Sequence, residues 1–312
     1  MTLCQLYAKQ IRHRGNVRYN TKNGRKRLMK LLEEDKLGGC PIDSVKLSDA
    51  KEWAIRMKEK GISYKTISND KRSLKAAFYT AIQDDCIRKN PFDFQLNTVI
   101  EDDTEPKVPL TPAQEESFLS FAQNDKVYQK YYDELIILLG TGLRISELCG
   151  LTDTDINFEN RIINVDHQLL RSAETGYYIE TPKTKSGIRQ IPMSEKVYEA
   201  FNRVLKRRRG AKAVTIDGYS NFLFLNRDGY PKTATNYDGM FRGLAKKYNK
   251  YHEEALPKVM TPHTLRHTFC TNMANAGMNP KALQYIMGHS NITMTLNYYC
   301  LLYTSPSPRD RT

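Results

Sequence analysis

The sequence predicts a mainly α protein with a small antiparallel sheet, built as a helical domain, a linker and a larger α+β domain. Three observations carry this. Apolar residues recur at helical spacing through the first hundred residues. An acidic, proline-bearing stretch then interrupts them. Midway through the larger domain, the apolar period changes from helical to two.

In chain order, "LCQLYAKQI", "TKNGRKRLMKLLEED", "SDAKEWAIRMKEKG" and "SYKTISNDKRSLKAAFYTAIQDD" each carry an apolar stripe of helical period. Ser48 and Ser63 are the expected N-caps, Gly61 the stop of the third helix, and Asn90-Pro91 the end of the fourth. These helices make a domain over residues 1–96. Residues 97–110 are acidic, poor in apolar side chains and bear prolines, so they read as a linker. A second domain over 111–299 opens where Thr111 caps a helix, Pro112 takes its first position and Gln114 reaches back. "YYDELIILLG" is apolar enough for a core helix and is expected to stop at Gly140, with Gly142 two residues on. "INFENRIINVD", "GYYIET" and "IRQIPM" alternate as three short antiparallel strands. Helices resume with "SEKVYEAFNRVLKRRR" and continue to residue 299, punctuated at Gly277, Pro280 and Gly288.

Composition narrows the function. The 312 residues carry a net charge of +13, and residues 1–32 hold nine basic side chains and no acid. Such one-sided charge favours a polyanionic partner, nucleic acid before a membrane surface. No apolar run reaches the ~20 residues that span a bilayer. The start "MTLCQLYAKQ" lacks the apolar core of a signal peptide. Six cysteines lie scattered without a CxxC pair, as reduced thiols in a cytoplasmic protein would.

Four stretches of the second domain could carry chemistry. In "GTGLRISEL", Arg144 follows a glycine-rich turn and Glu147 stands one helical turn on, placed to orient it. Arginine suits bidentate contact with phosphate oxygens, although a surface ion pair would look the same. In "TPHTLRHT", Thr261 and Pro262 open a helix on which His263 and Arg266 share a face, gathering donors and positive dipole round an anion. His263 and His267 also have metal-ligand spacing, but no glutamate of an HExxH motif lies between them, and no metal is expected. "TPKTKSGIRQIP" is a lysine-rich hairpin tip that could bring an ammonium to a leaving group or merely face water. In "MGHSNITMTLNYY", His289 follows a glycine and precedes two tyrosines.

In this order, the arginine, hairpin lysine, HxxR, GH and tyrosine resemble the tyrosine recombinases of the phage integrase family, over residues 2–299. "TGLRISEL", "HTLRHTF" and "GHSNITMTLNYY" match its boxes. "SYKTISNDKRSLKAAFYTAIQDDCIRKNPF" looks like the last helices of its core-binding domain. The flavour is that of integrases of conjugative transposons and phages. The resemblance implies a core-binding domain and a catalytic domain closing as a C-shaped clamp on DNA. It also implies strand cleavage and rejoining through a 3′-phosphotyrosyl bond, without cofactor or ATP, for integration or excision of a mobile element. By resemblance, Arg144 and Arg266 clamp the non-bridging phosphate oxygens, and His263 and His289 hydrogen-bond the phosphoryl group. Lys185 protonates the leaving 5′-oxygen, with Lys183 the fallback, and Glu147 supports the site. "TLNYY" aligns Tyr299 as the nucleophile, with Tyr298 the alternative. Lys65, Lys71, Arg72 and Lys75 cluster on one helical segment and are the expected N-terminal DNA contacts.

The implied partners are double-stranded DNA attachment sites and three further copies of the chain in a synaptic tetramer. A monomer is expected when free, with room for a directionality factor, at the bacterial nucleoid in the cytoplasm. Two other readings compete: a relative that binds DNA without cutting, whether impaired or truncated, and a type IB topoisomerase-like strand transferase. Residues 300–312, "CLLYTSPSPRDRT", read as one frame of a transposase-based sequencing adapter and are expected to be a non-native tail. An arm-site domain ahead of residue 1 and a docking segment after the tyrosine are expected to be missing from the sequence as given.

Overall fold

The computed structural model describes residues 1–15, 17–105, 108–182, 184–208 and 214–304, without the side chains of 300–304. The expected fallback Lys183 lies outside these residues, as does the tail beyond 304. The chain divides into two compact units, Met1–Pro106 and Lys107–Thr312.

The first unit carries, among the described residues, the α-helices α1 (Leu3–His13), α2 (Tyr19–Glu33), α3 (Leu47–Glu59) and α4 (Tyr64–Gln83), and a short 3-10 turn at Leu96–Thr98. Thr2 and Gln5 form a reciprocal cap on α1, and Ser63 accepts the Thr66 N–H at the start of α4. Ser48 is not a cap: α3 begins at Leu47, two residues earlier than a Ser48 cap requires, and the Asp49 carboxylate accepts the Lys46 N–H at 2.8 Å. A carboxylate in the first turn also suits the helix dipole, which a serine hydroxyl does not. Gly61 ends the region of α3 at φ +77°. Trp53 is fully buried, edge-on to Phe92 at 5.7 Å, and Phe78 packs tilted against the same ring at 5.5 Å. The stretch read as a linker is anchored at both ends, because Ile100 packs into this core and Leu110 into that of the second unit.

The second unit sets α5 (Pro112–Asn124), capped by Thr111 and Gln114 as expected, against α6 (Tyr132–Thr141). Helix α6 runs one residue past Gly140. The left-handed residue that ends it is Gly142 at φ +63°, where a Cβ would stand 2.4 Å from the Phe269 ring. Short α7 (Ile145–Gly150) follows. The strands differ from the sequence reading. The stretch 156–165 folds on itself as β1 (Ile156–Asn157) and β2 (Ile162–Val165), and β5 (Arg189–Pro192) completes a sheet of order β1-β2-β5. β4 (Gly176–Glu180) pairs instead with β3 (Gln168–Ser172), a strand the alternation did not reveal. β3 and β4 form a hairpin that returns the chain to β5. Then come α8 (Glu195–Arg208), α9 (Ala234–Tyr251), α10 (Pro262–Asn275), α11 (Pro280–Met287) and α12 (Thr293–Thr304).

Helices α6 and α8 are tied by Asp133, which is buried and accepts from Arg203 at 2.8 Å and from Arg207. Among the described residues no helix is long and apolar enough to cross a membrane.

Candidate active site

The site is assembled at the C-terminal end of α11. The last carbonyls of a helix have no partner within it and carry the negative end of its dipole. Here three consecutive carbonyls each receive an arginine from a different element. Arg189 Nε donates to Ile286 O at 2.6 Å, Arg266 Nη2 donates to Met287 O, and Arg144 Nη2 donates to Gly288 O at 3.0 Å. Gly288 turns the chain at φ +60°, and His289 follows it.

Each arginine is positioned locally. Arg144 is the residue before α7, just beyond the Gly142 turn. Its own N–H and its Nη1 donate to the two oxygens of Glu147 at 2.8 and 2.7 Å. Its side chain stays one-third exposed, so its remaining donors can reach a ligand. Arg266 lies in the first turns of α10, buried, and also donates to Gly142 O. Burial and the charge of Arg144 lower its pKa to about 9, countered by Glu147, so it remains charged at neutral pH. Arg189 is wholly buried on β5 and grips Glu147 with two donors, at 3.0 and 2.8 Å. Burial alone would raise the Glu147 pKa. The Arg189 hydrogen bonds and the charges of Arg189, Arg144 and Arg266 outweigh it and hold the carboxyl at about 2. Two guanidinium groups thus pair with one carboxylate and the charge of a third, Arg266, acts on it, an arrangement that favours a bound anion.

His289 is buried, and its Nδ1 lies 3.0 Å from the Thr295 hydroxyl. Burial, then the charges of Arg266, Arg144 and Arg189, push its pKa down to about 4, so the ring is neutral at pH 7. His263 stands exposed on the first turn of α10. Lys185 is exposed in a tight turn, Lys185–Gly187, between β4 and β5. That turn abuts the site: a Cβ placed on Gly288 would lie 3.1 Å from Ser186 O.

The two tyrosines diverge. The Tyr298 phenol shares a hydrogen bond with Nδ1 of His267, the neighbour of Arg266 on α10. Burial raises its pKa to about 12, Cys270 adds to that, and the Arg266 charge pulls the other way. The Tyr299 phenol donates instead to the Met278 carbonyl, in the turn between α10 and α11. His267, the second member of the suggested metal pair, therefore turns to a tyrosine. Among the described residues Asp155, Asp166 and His167 also gather within metal-ligand reach, but both His167 nitrogens are engaged, by Asp166 at 2.6 Å and Gly150 O at 2.8 Å.

On α4, Lys65 and Arg72 are exposed, whereas Lys75 pairs with Asp93 and Lys71 lies over the Phe94 ring at 4.5 Å. Sequence reasoning missed Arg189 and Thr295 and weighed His267 only as a metal ligand. Arg189 did leave a signal: period two places Arg189 and Ile191 inward and Gln190 outward.

The phage integrase family profile matches residues 109–304. The chain is 69% identical over 299 residues to the transposase from transposon Tn916 of Enterococcus faecalis, which covers 96% of this chain and 74% of that protein. It is similar to a solved Tn1549 transposon integrase, bearing one Arg→Lys substitution, in complex with a circular intermediate DNA. The TM-score is 0.94 at 77% identity, over 96% of this chain and 95% of that one. The same integrase with a Tyr→Phe substitution, in complex with transposon right end DNA, gives a TM-score of 0.92 at 77% identity, over the same shares of the two chains. The chain belongs to the phage integrase family, the tyrosine-type site-specific recombinases.

Proposed function

We propose that the chain cuts and rejoins double-stranded DNA at the ends of a mobile element, through a 3′-phosphotyrosyl intermediate formed by Tyr298. The observation that carries this is the set of three arginines on the 286–288 carbonyls, with the Tyr298 phenol held beside Arg266 by His267. A five-coordinate phosphorane needs fixed positive donors round its equatorial oxygens, and Arg144 and Arg266 supply them. The Tyr298 oxygen attacks phosphorus, its proton passing towards His267, and the P–O5′ bond breaks. Lys185 protonates the departing 5′-oxygen. His289, neutral, and His263 hydrogen-bond the phosphoryl oxygens. The new phosphodiester to tyrosine keeps the energy of the old one, so a 5′-hydroxyl of the partner strand reverses the step without ATP.

Tyr298 replaces Tyr299 as the proposed nucleophile because the Tyr299 phenol faces a backbone carbonyl away from the arginines. The solved relatives support the change. The tyrosine substituted in one lies as far along the chain from the arginine substituted in the other as Tyr298 lies from Arg144.

Residues 1–96 serve as the core-type DNA-binding domain, 97–110 as the link and 111–299 as the catalytic domain. Lys65 and Arg72 are the leading N-terminal contacts to the DNA backbone. The substrate is duplex DNA of the kind bound in the solved relatives, the circular intermediate and the transposon end. The working assembly is a tetramer of this chain on two duplexes at the bacterial nucleoid, with direction set by an accessory factor. A nicked duplex of circular-intermediate sequence, incubated with the protein in EDTA, is expected to give an SDS-stable adduct at a 3′-phosphate. An adduct at a 5′-phosphate, or cleavage that requires a divalent metal, would overturn the mechanism.

A further inference from the structure

We infer that Arg189, wholly buried and out of reach of any substrate, is a positioning residue for the cleavage step: it sets Arg144, the Lys185 turn and His289 relative to one another. The inference rests on the recombinase reading above. Arg189 ties together the three stretches that carry those residues. Its Nη1 and Nη2 hold the Glu147 carboxylate, which in turn holds both the backbone N–H and the guanidinium of Arg144. Its Nη1 also donates to Gly187 O at 3.2 Å, the last residue of the turn that begins with Lys185. Its Nε donates to Ile286 O at the end of α11, three residues before His289. A second link runs alongside, since the Gln190 N–H donates to the Tyr285 hydroxyl at 3.0 Å and so fastens β5 to α11.

The geometry has a chemical consequence. A planar guanidinium can satisfy a carboxylate and two carbonyls at fixed angles, which an ammonium on a flexible stem cannot. With Arg189 gone, Glu147 is a buried carboxylate whose remaining side-chain ion pair is Arg144. Its proton affinity must then rise, and a protonated Glu147 no longer holds Arg144 as an ion pair. Lys185, two residues before Gly187 in the same turn, loses the contact that anchors that turn. Displacements of about 1 Å at such a centre cost roughly 100-fold in rate.

The test is single-turnover adduct formation on a nicked duplex of circular-intermediate sequence, across pH 5 to 8, with Arg189→Lys, Arg189→Met and Glu147→Gln. Duplex binding is measured by gel shift and thermal unfolding runs alongside. The expected result is a drop of about 100-fold in cleavage for Arg189→Met with duplex affinity within about threefold of the unsubstituted chain. Its rate should fall more steeply below neutral pH than that of the unsubstituted chain. Glu147→Gln should be slow but lack that acid limb, and Glu147→Gln/Arg189→Met should be no slower than the worse single variant. Arg189→Lys keeps the charge and guards against a failure to fold; it should still be slowed at least tenfold, because it cannot make the fork. Cleavage by Arg189→Lys at the unsubstituted rate would overturn the inference, as would loss of rate in Arg189→Met that tracks its thermal midpoint with no change in pH profile. If the unsubstituted chain forms no adduct, the recombinase mechanism fails and this inference with it.

Discussion

His289 and Glu147 show how the arginine cluster writes itself into single residues. Both have folded pKa values below their ordinary ones, at about 4 and about 2. For His289 the unfolded ring, near 6.5, binds a proton more readily than the folded one. Stability is therefore full above pH 6.5 and falls as pH drops towards 4, by on the order of 3 kcal/mol. Glu147 contributes stability above its unfolded value, about 4.3, that is lost as pH falls towards 2. Denaturant titrations from pH 7.5 to 4 should show the His289 loss, and His289→Gln should flatten it; an unchanged slope would place the protonation elsewhere. Arg144, Glu147, Arg266 and His289 stood out in the sequence through the order of their motifs, which resembles the tyrosine recombinases; the glycine turns and helix-start chemistry round each left a surface or structural role open. For Arg189 only its inward direction was legible, since a buried arginine is recognised by its partners, and Ile286 lies far along the chain. The choice between Tyr298 and Tyr299 was not legible: adjacent helical residues point about 100° apart, and only packing against α10 tells which faces the arginines.

At the scale of elements, the turns at Gly142 and Gly288 carry the site. Each is left-handed, and each brings a carbonyl against an arginine: Gly142 O to Arg266 and Gly288 O to Arg144. Gly142→Ala adds a Cβ at 2.4 Å from Phe269 to a conformation that alanine resists. It should lower stability by roughly 2–4 kcal/mol, read as a fall in thermal midpoint; a loss under about 0.5 kcal/mol would mean that the turn relaxes freely. The helices and their caps were largely readable from period and capping chemistry, Thr111 and Gln114 being the clearest case. The strands were not. β3 pairs with β4, and β5 with β2, through register rather than through any difference in their own alternation. The alternation of β5 carries Arg189 inward, but that Glu147 stands there to meet it is a fact of tertiary packing that local pattern does not contain.

At the scale of the whole molecule, the charge of +13 and the acid-free first 32 residues predict DNA affinity that falls steeply with salt. Lys65→Ala and Arg72→Ala should each weaken duplex binding without regard to sequence and reduce the salt slope by about 1; an unchanged slope would remove those residues from the interface. Whether the molecule cleaves through Tyr298 is decided by comparing Tyr298→Phe and Tyr299→Phe on a nicked circular-intermediate duplex, scoring SDS-stable protein–DNA adduct. With Tyr298 as nucleophile, Tyr299→Phe still forms the adduct, and Tyr298→Phe forms none while binding the duplex as before. Adduct formation by Tyr298→Phe together with its loss in Tyr299→Phe would make Tyr299 the nucleophile and refute the mechanism as drawn.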